Sequence, residues 1–239
     1  MISAYQKNSH SLDLKEAELI LNQQIGFSEQ KKKILNNLKI QKNPSIIFLI
    51  GPPGVRKTSF AQLLAQALKK EFFSISLGSL SDSSVLVGAS ESSSGIEVGL
   101  LTKSLLETKT NNPLILLNEI DKVASYKGGS TNHACLSNFL DPLHNKEILD
   151  HYLDVKLDFS EVTFVITAND SKKIPNYLLS RTSLIVELFG YNLEQKKEIA
   201  NLFIKQWFEQ NQNLNPNNLE ITSEALVILI NKTNEKGVR

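Results

Sequence analysis

The sequence predicts an α/β fold: a parallel sheet with helices on both faces, followed by a short helical segment at the C-terminal end. Three observations predict it. Ser45-Ile-Ile-Phe-Leu-Ile50 is a continuous apolar run, as expected of a parallel strand buried on both faces. Gly51-Pro-Pro-Gly-Val-Arg-Lys-Thr58 follows at once, a Gly/Pro turn ending in Lys-Thr. After the turn Phe60, Leu63, Leu64, Ala67 and Leu68 recur at helical spacing. Strand, glycine turn and helix in that order form the setting of a phosphate-binding loop.

The remaining elements follow from the same patterns. Asp13 to Asn22 reads as a helix with Leu14, Ala17, Ile20 and Leu21 on its apolar stripe, and Gly26 breaks it. Ser28 is the expected cap of a second helix reaching Ile40. Phe72–Leu77 is a second strand. Residues 78–99, rich in Ser and Gly, form a loop with a short helix, and Leu100–Thr108 returns to helix. Leu114–Leu117 is a third strand, Leu136–Leu143 a helix that ends near Asp141-Pro142, Val162–Thr167 a fourth strand and Leu184–Leu188 a fifth. Helix resumes from Leu193 to Phe208 and again from Ser223 to Lys232, with an Asn-rich loop at 211–218 between them. Strands alternating with helices indicate a parallel sheet. The expected organisation is linker helices over 1–42, an α/β nucleotide-binding domain over 43–190 and a partial helical lid over 191–239.

Bulk properties exclude several classes. The 239 residues suit one large domain, and 41% hydrophobic residues can build its core. A net charge of +1 gives no general attraction to nucleic acid or membrane. Lys31-Lys32-Lys33 is read as a solvated helix face. The single cysteine, Cys135, has no internal partner and reads as a packing residue. No apolar stretch reaches the roughly 18 residues of a membrane span. With no apolar signal region at the N-terminus, a cytoplasmic, reducing setting is expected. There are 23 lysines and only three arginines, Arg56, Arg181 and Arg239.

The loop fits the pattern G-x-x-x-x-G-K-[ST] except that its second glycine is Arg56. Gly51, Pro52, Pro53, Gly54, Val55, Arg56, Lys57, Thr58 and Ser59 surround a helix N-terminus, whose dipole favours phosphate; the non-proline residues offer backbone N–H donors and the two prolines contribute turn geometry. Lys57 is expected to reach the β- and γ-phosphates, and the Thr58 hydroxyl to ligate Mg²⁺. Arg56 adds a Cβ and a long stem where glycine permits close approach. The third strand ends in Asn118-Glu119, where a nucleoside triphosphatase carries an acidic pair. Glu119 is the candidate for activating water. Asn118, the candidate metal-side residue, offers an oxygen without the charge a hard cation requires. Asn169 ends the next strand, placed to orient the lytic water. Arg181 is a candidate arginine finger and Arg239 a candidate phosphate contact from the lid.

These residues resemble the ATPase (AAA+) module of Lon-type ATP-dependent proteases. The resemblance runs from Asp13-Leu-Lys-Glu-Ala-Glu through Gly-Pro-Pro-Gly-Val-x-Lys-Thr-Ser, Glu-Ile-Asp-Lys122, Leu140-Asp-Pro, Asp150-His-Tyr-Leu-Asp154 and Leu178-Leu-x-Arg181 to Gly237-Val-Arg. It implies that Glu119 is the Walker B glutamate, Asn169 sensor 1, Arg181 the finger and Arg239 sensor 2. It also implies ATP or ADP with Mg²⁺ as cofactor, a hexameric homo-oligomeric ring, and unfolded protein as substrate. Neither a membrane nor a specific nucleic acid is an implied partner. The departures are Arg56 and Asn118, Ser93-Ser94 where the family grips substrate with an aromatic-aliphatic pair, and Ile25 where it has a tyrosine beside the adenine. The family's proteolytic and N-terminal domains have no counterpart in these 239 residues, so no peptidase activity is expected of them. The expected function is a Lon-like module impaired in nucleotide binding or hydrolysis. The alternatives are an active ATPase coupled to protein remodelling or degradation, and a non-catalytic remnant or assembly module.

Overall fold

A computed structural model describes residues 12–41, 46–80, 82, 84–89, 97–123, 129–174, 176–210, 221–232 and 236–238. In chain order the helices are α1 (Leu14–Leu21), α2 (Ser28–Ile40), α3 (Lys57–Ala67), α4 (Ser84–Val87), α5 (Leu100–Thr108), α6 (Ile120–Val123), α7 (Gly129–Phe139), α8 (Asn176–Leu179), α9 (Leu193–Gln210) and α10 (Ser223–Lys232). The strands are β1 (Ile46–Ile50), β2 (Phe72–Ser76), β3 (Leu114–Asn118), β4 (Ile148–Asp150), β5 (Val155–Leu157), β6 (Thr163–Ala168) and β7 (Leu184–Glu187). Five of them form one parallel sheet in the order β2-β3-β6-β1-β7.

β1 lies between β6 and β7 and is buried at all five positions. Its side chains alternate between two cores, as the strand period of two requires. Ile46, Phe48 and Ile50 join one core with Leu101 and Leu105 of α5 and Leu136 and Phe139 of α7. Ile47 and Leu49 join the other with Ala17 and Leu21 of α1, Ile34 and Leu38 of α2, and Phe60 and Leu64 of α3. The continuous apolar run read from the sequence is therefore explained by two buried faces. The carboxyl ends of β1, β3 and β6 align, so residues 51, 118 and 169 emerge at one edge of the sheet.

The structure corrects four local expectations. Ser28 is the first residue of α2 rather than its cap. The cap position is Phe27, in the left-handed region (φ 59°), with its ring packed against Tyr191 and Phe60. Lys31 is not solvated: it is buried and its Nζ donates to the Gln24 carbonyl, whereas Lys32 and Lys33 are exposed. α7 begins at Gly129, well before the expected Leu136, and ends at Phe139, close to the expected stop at Asp141-Pro142, where Pro142 disfavours helical geometry at Asp141. An antiparallel hairpin, β4 with β5, was not anticipated: each strand has only three residues, too few for a periodic pattern. Ser93-Ser94, the 211–218 loop and Arg239 lie outside the described residues.

Candidate nucleotide site

The candidate phosphate loop is built where β1 stops. The Gly51 N–H donates to the Ala168 carbonyl at 3.1 Å, extending the ladder between β1 and β6 by one bond. A Cβ at Gly51 would sit 2.2 Å from the Leu188 carbonyl oxygen, so only glycine fits this position. The chain then turns through Gly54 (φ 82°) and enters α3 at Lys57. Val55 is fully buried, and its carbonyl accepts the Tyr191 hydroxyl at 3.1 Å. That hydroxyl in turn accepts from Gln24 Nε2 at 2.7 Å, so the loop, the turn after α1 and the approach to α9 share one buried polar chain. Burial pushes the Tyr191 hydroxyl up to about 12, against the opposing pull of Arg56 and the Gln24 hydrogen bond.

Arg56, at the cap of α3, is held in the left-handed region at φ 60°, ψ 38°. Glycine adopts this conformation freely, whereas a residue with a Cβ is strained there by about 1–2 kcal/mol. Its guanidinium lies over the Phe203 ring of α9, 5.3 Å from the centroid, so the side chain joins the loop to the helix after the sheet. The backbone demand for glycine, visible in the sequence pattern, is therefore present in the structure.

Lys57 points back across the loop. Its Nζ donates to Gly51 O at 2.7 Å, Pro52 O at 3.1 Å and Asn169 Oδ1 at 2.7 Å. Burial lowers its pKa below the usual 10.5, while Asp121 and Glu119 act in the opposite direction. The three oxygens that accept from this ammonium are of the kind a phosphate group would also offer it. Thr58 is exposed at the edge of the same cleft, and Ser59 is half-buried behind it.

The end of β3 contributes the second half. The Thr167 hydroxyl donates to Asn118 Oδ1 and accepts the Glu119 N–H at 3.0 Å, fixing both residues. Glu119 has φ 64°, a second strained non-glycine position at the cleft. Its carboxylate forms an ion pair with Lys122 at 2.7 Å, a partner on the following turn. Asp121 is buried. Its Oδ2 accepts the Asn169 N–H at 3.2 Å, and its Oδ1 has no hydrogen-bond partner among the described residues.

The cleft is about 460 Å³. It brings together Pro53, Gly54, Arg56, Lys57 and Thr58 from the loop, Asn118, Glu119 and Lys122 from the β3 end, Asn169, and Val238. Val238 arrives because its N–H donates to the Gly54 carbonyl at 2.9 Å. A Cβ on Gly237 would lie 2.3–2.5 Å from backbone atoms of Pro53 and Gly54, so the two segments touch backbone to backbone.

Residues 47–189 match the family described as "ATPase family associated with various cellular activities (AAA)". The chain belongs to the AAA family of ATPases. Within that family it is similar to Lon proteases: 38% identical to that of Chlamydia trachomatis serovar D over 95% of this chain and 28% of the relative. A Lon protease of Finegoldia magna is 36% identical over 98% of this chain and 31% of the relative. A mitochondrial Lon protease homolog of Zea mays is 37% identical over 97% of this chain and 25% of the relative. The chain thus corresponds to a Lon-type AAA+ module and spans under a third of these relatives.

Of the residues expected at an AAA site, the structure converges Lys57, Thr58, Asn118, Glu119 and Asn169 on one cleft. It does not bring Arg181 there: that guanidinium is bound to Ser137 and Asp141. Arg239 lies outside the described residues. Thr167, Lys122 and Phe203 were not singled out from the sequence. Lys122 was legible as the residue one helical turn after Glu119, but Thr167 and Phe203 are brought in by tertiary packing.

A nucleotide's phosphates fit this cleft, because the 11-residue α3 presents its N-terminus there and Lys57 has a ready set of oxygens to exchange. The donor set for a divalent cation is poorer. It comprises a hydroxyl at Thr58 and a neutral amide at Asn118 already engaged with Thr167, and the Glu119 carboxylate is paired with Lys122. Among the described residues no helix is long and apolar enough to cross a membrane, and no group of three or more His, Cys, Asp or Glu side chains is placed to hold a metal ion.

Proposed function

We propose that this chain is a Lon-like AAA+ module that takes ATP or ADP at the α3 N-terminus but is impaired in nucleotide binding or hydrolysis, and that its 239 residues carry no peptidase chemistry of their own. The observation that carries the proposal is the β3 end. Asn118 stands where a charged metal-side carboxylate is required, and the adjacent Glu119 is neutralised by Lys122. The strained Arg56 supports it independently. In the working cleft Lys57 would leave the Gly51 and Pro52 carbonyls to neutralise phosphate charge. Asn169, kept in place by its N–H bond to Asp121, would orient water towards it, and Glu119 would accept the water's proton. A magnesium ion would supply charge neutralisation between the phosphates. Thr58 and Asn118 are the residues that would face it.

The likeness to Lon proteases supports assembly into a homo-oligomeric ring, hexameric as the family resemblance implies, and unfolded protein as the substrate of that assembly. A cytoplasmic setting is proposed as well, and Arg181 and Arg239 are proposed to contact nucleotide from the finger and lid positions. A second possibility, an active ATPase, is favoured by the direct Lys57–Asn169 contact, which couples the loop to the β6 end. Calorimetric titration with MgATP and MgADP, followed by turnover, separates the two. Weak binding and slow turnover that improve in Arg56→Gly/Asn118→Asp support impairment. Turnover in the unaltered chain at the rate common for enzymes, about 1 s⁻¹ or more, refutes it.

A further inference from the structure

Arg181 is bound in a way that its candidate role alone does not explain. Its Nη1 donates to the Ser137 carbonyl at 2.6 Å and to Ser137 Oγ at 2.8 Å, and its Nη2 donates to Asp141 Oδ2 at 2.7 Å. The Ser137 carbonyl is among the last four of α7, which no later residue of the helix can satisfy. A cation is also favoured at that end by the helix dipole. Asp141 is itself fixed: Oδ1 accepts the Leu143 N–H at 3.0 Å, and Oδ2 also faces His144 Nδ1 at 3.3 Å. The Leu143 N–H, then His144 and the Arg181 charge, hold its carboxyl below the usual 3.8. An arginine carries five N–H donors. Three bonds use both protons of Nη1 and one of Nη2, leaving Nε–H and one Nη2–H without a partner among the described residues. The side chain is 27% exposed, so the guanidinium is not sealed inside the core. In a chain with 23 lysines and three arginines, a planar fork stands at a position where a lysine could satisfy one carbonyl but could not present two further donors in a fixed plane.

We propose that Ser137 and Asp141 are positioning residues that hold the Arg181 guanidinium in one orientation and so present its free Nε–H and Nη2–H as a preformed fork for a phosphate group from outside the chain's own cleft. That the incoming anion is a phosphate rests on the nucleotide-binding proposal above; the holding of Arg181 does not. Presentation by Ser137 and Asp141 means that the fork's orientation follows α7, the helix downstream of Glu119, rather than β7 alone.

Three arginines make the test direct, because a ¹⁵N-labelled chain gives three side-chain Nε–H signals and Arg181→Lys identifies one of them. Held at three points, the Arg181 Nη protons are expected to give separate signals at temperatures where free arginine gives one averaged signal. Asp141→Asn retains an acceptor for the Leu143 N–H and so preserves the turn, but it is expected to merge those signals. Ser137→Ala leaves the carbonyl in place and is expected to narrow their separation only in part. Tripolyphosphate added to the metal-free native chain is expected to shift the Arg181 Nε–H signal, with at least threefold weaker apparent affinity in Asp141→Asn. The Arg56 signal, from the phosphate loop, reports separately on the nucleotide cleft. Averaged Nη signals in the native chain overturn the holding. A fixed guanidinium whose Nε–H ignores tripolyphosphate overturns the presentation, whatever Arg56 shows.

Discussion

Replacing Arg56 separately by Gly and by Ala isolates the backbone strain at the phosphate loop. Both changes delete the cation–π contact with Phe203, worth about 0.5–1 kcal/mol, so that term cancels between them. At φ 60°, ψ 38° alanine keeps the clash of a Cβ with the backbone and glycine removes it, a gain of about 1–2 kcal/mol. Glycine also gives freedom back to the unfolded chain, which offsets roughly 0.4–1 kcal/mol of that gain. Arg56→Gly is therefore expected to be more stable than Arg56→Ala by about 1 kcal/mol, or roughly 2–4 °C in Tm for a chain of this size. Relative to the native chain, the glycine variant falls within about 1 kcal/mol, because strain relief and the lost contact nearly balance. Urea denaturation followed by far-ultraviolet circular dichroism measures the difference. Equal stability of the two variants, or a more stable alanine variant, would show that Arg56 does not occupy the left-handed region in solution.

Other substitutions test the surrounding frame. Gly237→Ala pushes a methyl against Gly54 and Pro53 backbone atoms and breaks the Val238–Gly54 hydrogen bond; a loss of about 1–3 kcal/mol is expected, read as faster amide exchange at Val238 before any global unfolding. Asp150→Ala removes the buried acceptor shared by the Gly99, Tyr152 and Leu153 N–H groups and the Thr102 hydroxyl, and is expected to destabilise the chain by roughly 3–5 kcal/mol in urea titration. Cys135, half-buried on α7 with its thiol pushed up to about 11, is expected to react with a disulfide reagent at pH 8 roughly 100-fold more slowly than in the urea-unfolded chain. A native rate close to the unfolded one would mean that α7 does not bury this thiol.

The parts of the fold that could be read from the sequence are those where one physical demand dominates a run of residues. β1 was legible because both its faces are buried, which removes alternation and leaves five apolar residues in a row. The turn into α3 was legible because Gly51 is forced by the Leu188 carbonyl and Lys57 by its place at the helix start. β4 and β5 were not legible: at three residues each they carry no period, and the hairpin is secured by Asp150, whose partners lie as far away as Gly99. Lys31 gives a surface signal in the sequence yet is buried, because the Gln24 carbonyl after α1 accepts its ammonium. At the candidate site, the shared place of the loop, Asn118, Glu119 and Asn169 on one cleft follows from their position along their strands. The pairing of Glu119 with Lys122, the Arg56–Phe203 contact and the Arg181 anchorage depend on side-chain directions that only the folded chain sets.

Impairment by Asn118 and Arg56 is tested most directly by the MgATP dissociation constant of the native chain beside that of Arg56→Gly/Asn118→Asp, measured by calorimetry under identical conditions. Restoring one charge and one unstrained backbone position is expected to tighten binding at least tenfold, about 1.4 kcal/mol. Equal affinities in the two proteins would contradict the account, since neither substitution would then limit the nucleotide site.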